Sequence, residues 1–167
     1  MKDLQERGVT LIELVTVMAI ALLAMTGIVT FYLNAQAVWL DASTQSMMQR
    51  DATLIVERMT TEGRVAATAE IVDDPDPLHQ MLILRTHEDL ERRFFWNPTD
   101  SLIHFGASTI PGAAAGDDGP LVPAKVAGIH FEADSRLVYV RNLTMASHPD
   151  RPVSISSTIA LYNAAGP

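Results

Sequence analysis

Cysteine is absent from the 167 residues, which excludes a disulfide framework and any thiolate metal site. Proline is missing until Pro75, so no ring geometry interrupts a helix before that point. Charge is missing from Leu14 to Leu40, and no Lys or Arg lies between Arg7 and Arg50. Twelve basic side chains stand against 20 acidic ones, a formal charge of −8, and such a surface repels phosphate backbones and disfavours nucleic-acid binding. Arg85, Arg92 and Arg93 still make a local basic patch conceivable; the plain alternative is a solvated strand face. No Gly-x-Ser-x-Gly elbow and no phosphate-cradling glycine loop occurs. His79, His87, His104, His130 and His148 are scattered without the i, i+4 spacing of a helical zinc site. With no catalytic constellation, the chain is not expected to be an enzyme.

What is present begins with an apolar run. From Leu14 to Leu33 about 20 residues, at about 1.5 Å each, match the hydrocarbon thickness of about 30 Å. Thr16, Thr26, Thr30 and Gly27 are its less apolar members. Lys2 and Arg7 precede the run, so the positive-inside rule puts the amino terminus in the cytoplasm and the carboxy-terminal domain outside. Phe31, Tyr32 and Trp39 stand at the far end, where amphipathic rings favour the headgroup level. Glu13 stands at the near border. A carboxylate there costs about 1 to 3 kcal/mol, so a charge in this position is a functional hypothesis by default.

The segment around that acid reads Gly8-Val9-Thr10-Leu11-Ile12-Glu13-Leu14. It closely resembles the processing signal of type IV pilins and of the pseudopilins of type II secretion systems. The resemblance implies that a prepilin peptidase cuts between Gly8 and Val9 and that the new terminus, Val9, is N-methylated. Val9 stands where the family most often has Phe. Thr10, Leu11, Ile12 and Leu14 complete the motif, and Glu13, the fifth mature residue, is implied to pair with the terminal amine of a neighbouring subunit during assembly. Such a pairing would offset the burial of both charges. Implied partners are the peptidase, other pilin or pseudopilin subunits through their N-terminal helices, and an inner-membrane assembly platform. The implied location is the bacterial inner membrane, single-pass, and then the filament.

Two other readings of the run stay open. One is an ordinary anchor with an incidental glutamate. The other is a secretory signal peptide, because Ala35-Gln36-Ala37 has the small-x-small form of a cleavage site; the length of the run and its leading acid oppose it. The mature terminus separates the signal peptide, which would leave Val38, from the processing signal, which would leave Val9.

Four segments follow: a leader over 1–8, a transmembrane and assembly helix over 9–40, an amphipathic helical half over 41–72, and a sheet domain over 73–167. Helix formers dominate from Thr10 to about Ala69, a helix of about 60 residues. Met48, Ala52, Ile55, Met59 and Ala66 recur at helical spacing and predict a stripe packed on the domain. Arg50, Asp51, Glu57, Arg58 and Glu62 take mostly the other side, and Gly63 weakens the last turns. Asp73-Asp74-Pro75-Asp76-Pro77 stops the helix. Period-two patterns then predict strands at Met81–Thr86, Arg92–Trp96, Leu102–Phe105, Val126–Glu132, Leu137–Arg141 and Val153–Tyr162. Turn chemistry at Asn97-Pro98-Thr99-Asp100 and Ala133-Asp134-Ser135 makes neighbours antiparallel. The Gly, Ala and Pro-rich stretch over 106–124 predicts a long exposed loop. The fold class is α+β, a long helix on antiparallel sheet; the resemblance implies the same, as a lollipop with the helix for its stem.

Within the family the closing run Val153 to Asn163 is similar to that of W-type minor pilins and J-type pseudopilins, with Tyr162 where those commonly carry Arg. Major pilins usually carry a proline in the apolar helix, so its absence favours a minor subunit, one implied to initiate or cap assembly. No cofactor is expected. Some pseudopilins bind calcium through acidic loops, and Asp73, Asp74, Asp76, Asp117 and Asp118 offer hard oxygens, but six to eight must converge and the sequence shows no convergence. A membrane-anchored ligand-binding module, with 106–124 as its contact surface, is the alternative of a different class.

Overall fold

A computed structural model describes residues 10–73, 80–108, 119–146 and 152–162. The chain divides into two units, Met1–Ser43 and Thr44–Pro167. Helix α1, Leu11–Val65, supplies the described part of the first unit and opens the second. In the first unit every side chain from Leu11 to Leu40 is exposed.

In the second unit α1 buries Met48, Ala52, Ile55, Met59 and Gly63, a repeat of four, three, four and four that keeps one face turned to the core. The predicted stripe is therefore the packed one. The amphipathic half expected over 41–72 ends earlier, at Val65. There the Ala66 N–H bonds back to the Gly63 carbonyl at 3.2 Å, a tightened last turn, and Arg64 supplies a cation beside the last carbonyls. The residues beyond join a sheet instead. Strand β1 (Thr68–Asp73) pairs with β2 (Gln80–Arg85) from Thr68↔Arg85 to Asp73↔Gln80, so ladder bonds take backbone groups that a longer helix would have used.

Strands β3 (Glu91–Asn97), β4 (Leu102–Ser108) and the two-residue β5 (Gly119–Pro120) continue the sheet in the order β1-β2-β3-β4-β5. Its turns follow from side chains that bond locally. Between β2 and β3 the Thr86 hydroxyl accepts from the Glu88 and Leu90 N–H groups, both at 3.3 Å. Between β3 and β4 the Asn97 carbonyl Oδ1 accepts from Thr99 N–H at 3.0 Å and Asp100 Oδ1 accepts from Leu102 N–H at 2.9 Å, which bears out that predicted turn.

A second sheet has the order β6-β7-β8, with β6 Val126–Ala133, β7 Leu137–Met145 and β8 Val153–Ala160. Strand β7 runs past its expected end at Arg141 through a bulge. Val140 pairs with Ser157 and Leu143 with Ile155, so two residues, Arg141 and Asn142, oppose Ser156. Asn142 has φ 51°, a conformation Asn tolerates, and its N–H reaches the Ser156 hydroxyl at 3.3 Å. The inserted residue switches the inward set from Val138 and Val140 to Leu143 and Met145, all four buried.

One apolar cluster joins the two sheets and the second part of α1: Met48, Ile55 and Met59 with Leu82, Phe94, Ile103, Phe131, Val140, Leu143 and Ile159. Three polar stitches bind β6 to the first sheet. Trp96 Nε1 donates to the Val126 carbonyl at 3.0 Å, Val126 N–H donates to the Ser101 carbonyl at 2.7 Å, and the buried Gln80 accepts from Phe131 N–H at 2.8 Å. The expected exposed loop over 106–124 needs correction at both ends. Residues 106–108 belong to β4; Leu121 N–H bonds the Ile103 carbonyl at 2.7 Å, and Val122 is buried in the core. Residues 109–118 lie outside the described residues.

Candidate functional site

The site that the sequence singles out starts at a helix cap. Thr10 precedes the first helical residue, its hydroxyl accepts from the Glu13 N–H at 3.3 Å, and its carbonyl accepts the first intrahelical bond, from Leu14 N–H, at 3.2 Å. Thr-x-x-Glu is the spacing of a capping box, in which a hydroxyl at the cap and an acid three residues on serve the orphan amides. That signal stands openly in Thr10-Leu11-Ile12-Glu13, and it gives Thr10 a physical task that the processing motif alone does not. It also places Glu13 in the first turn, where the partial positive charge of the helix end favours a carboxylate.

Beyond the cap the stretch to Leu33 offers little else that is polar. The Thr16, Thr26 and Thr30 hydroxyls donate to the carbonyls of Ile12, Leu22 and Thr26 at 2.7, 2.8 and 2.8 Å. Spent within the helix, they add no unsatisfied group to an apolar surrounding. The Glu13 carboxylate is exposed and has no partner among the described residues. The helix carries an 18-residue window of mean hydropathy 2.4 with none of it buried, long and apolar enough to cross a membrane. Gly8 and Val9 lie outside the described residues.

Elsewhere the candidates dissolve into structural pairs. The basic patch at Arg85, Arg92 and Arg93 is neutralised. Arg85 bridges Glu70 at 3.0 Å and Glu91 at 2.9 Å, Arg92 meets Glu62 of α1 at 3.2 Å, and Arg93 meets Glu91 at 2.6 Å. Nor is it wholly a solvated face, since Glu91 is fully buried and Arg93 nearly so, while Arg85 and Arg92 remain partly exposed. The hydrogen bond that Arg85 donates to the Glu91 carboxylate, with the charges of Glu70 and Glu91, holds its guanidinium above its ordinary value against the opposing effect of burial.

His104 Nε2 lies 2.7 Å from Asp100 Oδ2, and its ring stacks on Phe95 at 5.2 Å. Desolvation pushes the Asp100 carboxyl up, but the Leu102 N–H and His104 outweigh it and hold it below the usual carboxylate value. Among the described residues no group of three or more acids and histidines is placed to hold a metal. His79, His148, Asp74, Asp76, Asp117 and Asp118 lie outside them, as does the Asp73 side chain.

A scan against protein-family models and searches of the curated proteins and of the solved structures each return no match. The class therefore rests on the fold itself. A long apolar N-terminal helix whose continuation packs on antiparallel sheets is a pilin-like architecture.

Proposed function

We propose that the chain is a minor structural subunit, pilin or pseudopilin, of a type IV filament or type II secretion pseudopilus, and that it helps to initiate or cap assembly. A prepilin peptidase removes residues 1–8, Val9 becomes the N-methylated terminus, and Leu11–Leu40 anchors the subunit in the inner membrane. The observation that carries this reading is Glu13, the one charge on the fully exposed apolar stretch Leu11–Leu40 and without a partner among the described residues. An amine created at Val9 lies next to the cap of its own helix, at the end where a cation is unfavourable. A carboxylate from a neighbour relieves it, and the same contact relieves the carboxylate in the membrane. The apolar stems then replace lipid around one another, which makes withdrawal from the bilayer tolerable. The continuity of α1 through Ala35-Gln36-Ala37 also supports an anchor over a cleaved signal peptide.

The test uses two variants in cells that carry a complete filament system. Gly8→Leu keeps its leader; Glu13→Ala loses the leader normally but enters filaments at about a tenth of the parent level, as expected when about 1 to 2 kcal/mol of pairing is removed. Parent-level incorporation of Glu13→Ala overturns the pairing.

A further inference from the structure

The two sheets present four edges, and three are managed. Strand β5 has only two residues, one of them Pro120. Strand β1 carries the exposed charge of Glu70. Strand β6 has backbone groups occupied by Trp96, Ser101 and Gln80. Short length, proline, charge and coverage are the usual protections against pairing with another chain. Strand β8 has none of them. Its eight residues, Val153 to Ala160, include no charge and no proline, β7 lies on one side, and no described residue pairs with the other. Ser154, Ser156 and Thr158 are exposed while Val153 and Ile159 are buried, so the strand is regular and anchored rather than frayed.

Beside the end of β8 an open groove of ≈ 600 Å³ is lined by Thr60, Arg64, Thr158, Ile159, Ala160 and Tyr162. Arg64 is exposed and forms no ion pair among the described residues, in a protein that carries a net charge of −8. We propose that the outer edge of β8 and this groove receive an extended segment of another protein, which adds as a fourth strand and sets an acidic side chain against Arg64. Backbone bonds along the edge supply affinity, and the groove and Arg64 supply register. A second copy of this chain is the poorer occupant. A two-fold β8 pair presents one patch to itself, and neither β8 nor the groove carries a carboxylate to meet Arg64.

The test selects displayed random dodecapeptides on the full-length chain in detergent and then measures the synthetic winners by fluorescence anisotropy. The proposal expects extended, acid-bearing sequences. N-methylation of alternate amides weakens them about tenfold or more, as does exchange of the acid for its amide. Arg64→Glu reverses the preference toward lysine, and Thr158→Lys, checked for native circular dichroism, abolishes binding. The N-methylated peptides report on the parent chain and keep the test sound should a variant misfold. Failure to enrich any peptide, winners insensitive to N-methylation or to Arg64→Glu, or a parent that dimerises through β8 in sedimentation overturns the proposal.

Discussion

Gly63→Ala sets two opposed effects against each other at one atom. In a helix interior the change should stabilise by about 1 kcal/mol, since alanine forms helix better and has fewer unfolded conformations. At this position the new Cβ would lie 2.5 Å from Ile159 Cγ2, with Ile159 Cβ at 3.8 Å and Leu161 Cδ2 at 3.9 Å. Carbon atoms in contact prefer about 3.5 to 4.0 Å, so the pair must open by about 1 Å. Ile159 cannot simply turn away. It is β-branched, 1% exposed, and fixed opposite Val138 in the β7–β8 ladder. Overpacking of this kind costs about 1 to 3 kcal/mol, which exceeds the propensity gain and leaves a net loss of about 1 kcal/mol. In an Ile159→Ala background the obstacle is gone, and the same glycine change should stabilise by about 1 kcal/mol. The assay is urea unfolding of the full chain in detergent, followed by Trp96 emission in a Trp39→Phe host. Gly63→Ala more stable than its parent, or an equal effect in both backgrounds, would refute the steric argument.

Removing the Glu91 carboxylate by Glu91→Ala leaves Arg93 buried and Arg85 half-satisfied, and should destabilise by about 3 to 5 kcal/mol in the same unfolding assay; a loss under 1 kcal/mol would show that water replaces the acid. The Asp100 carboxyl is held below its ordinary value of 3.8, so its contribution is full above that pH and is lost as pH falls through the lower folded value. Hydrogen exchange at the Leu102 amide should therefore show weaker protection below about pH 4 in the parent but not in Asp100→Asn.

The sequence carries the helix and its buried stripe plainly, because Met48, Ala52, Ile55 and Met59 repeat at the helical period and that period is a local property. Strand β1 is hidden for the opposite reason. Thr68-Ala69-Glu70 contains good helix formers, Ala69 and Glu70, and only the non-local ladder to Ile83–Arg85 overrides that local preference. The extension of β7 is hidden because Asn142 reads as a turn, while the bulge it forms restores the inward phase. Gly63 reads as a weak point of the helix; its use, the close approach of Ile159, comes from the other end of the chain. Pairing of Arg85, Arg92 and Arg93 is likewise set by Glu62, Glu70 and Glu91 from three elements. At the candidate site the cap is legible in Thr10 and Glu13 alone, since capping is local, whereas the partner proposed for Glu13 belongs to a neighbouring subunit and is absent from the uncut chain.

That proposed partner is central: an amine that would exist only once Gly8 and Val9 are separated. Intact-mass and terminal-peptide mass spectrometry of the protein taken from its native membrane reads this directly. The expected chain begins at N-methylated Val9 and retains Glu13. A terminus at Val38, or an uncut chain beginning at Met1 in assembled filaments, would contradict it.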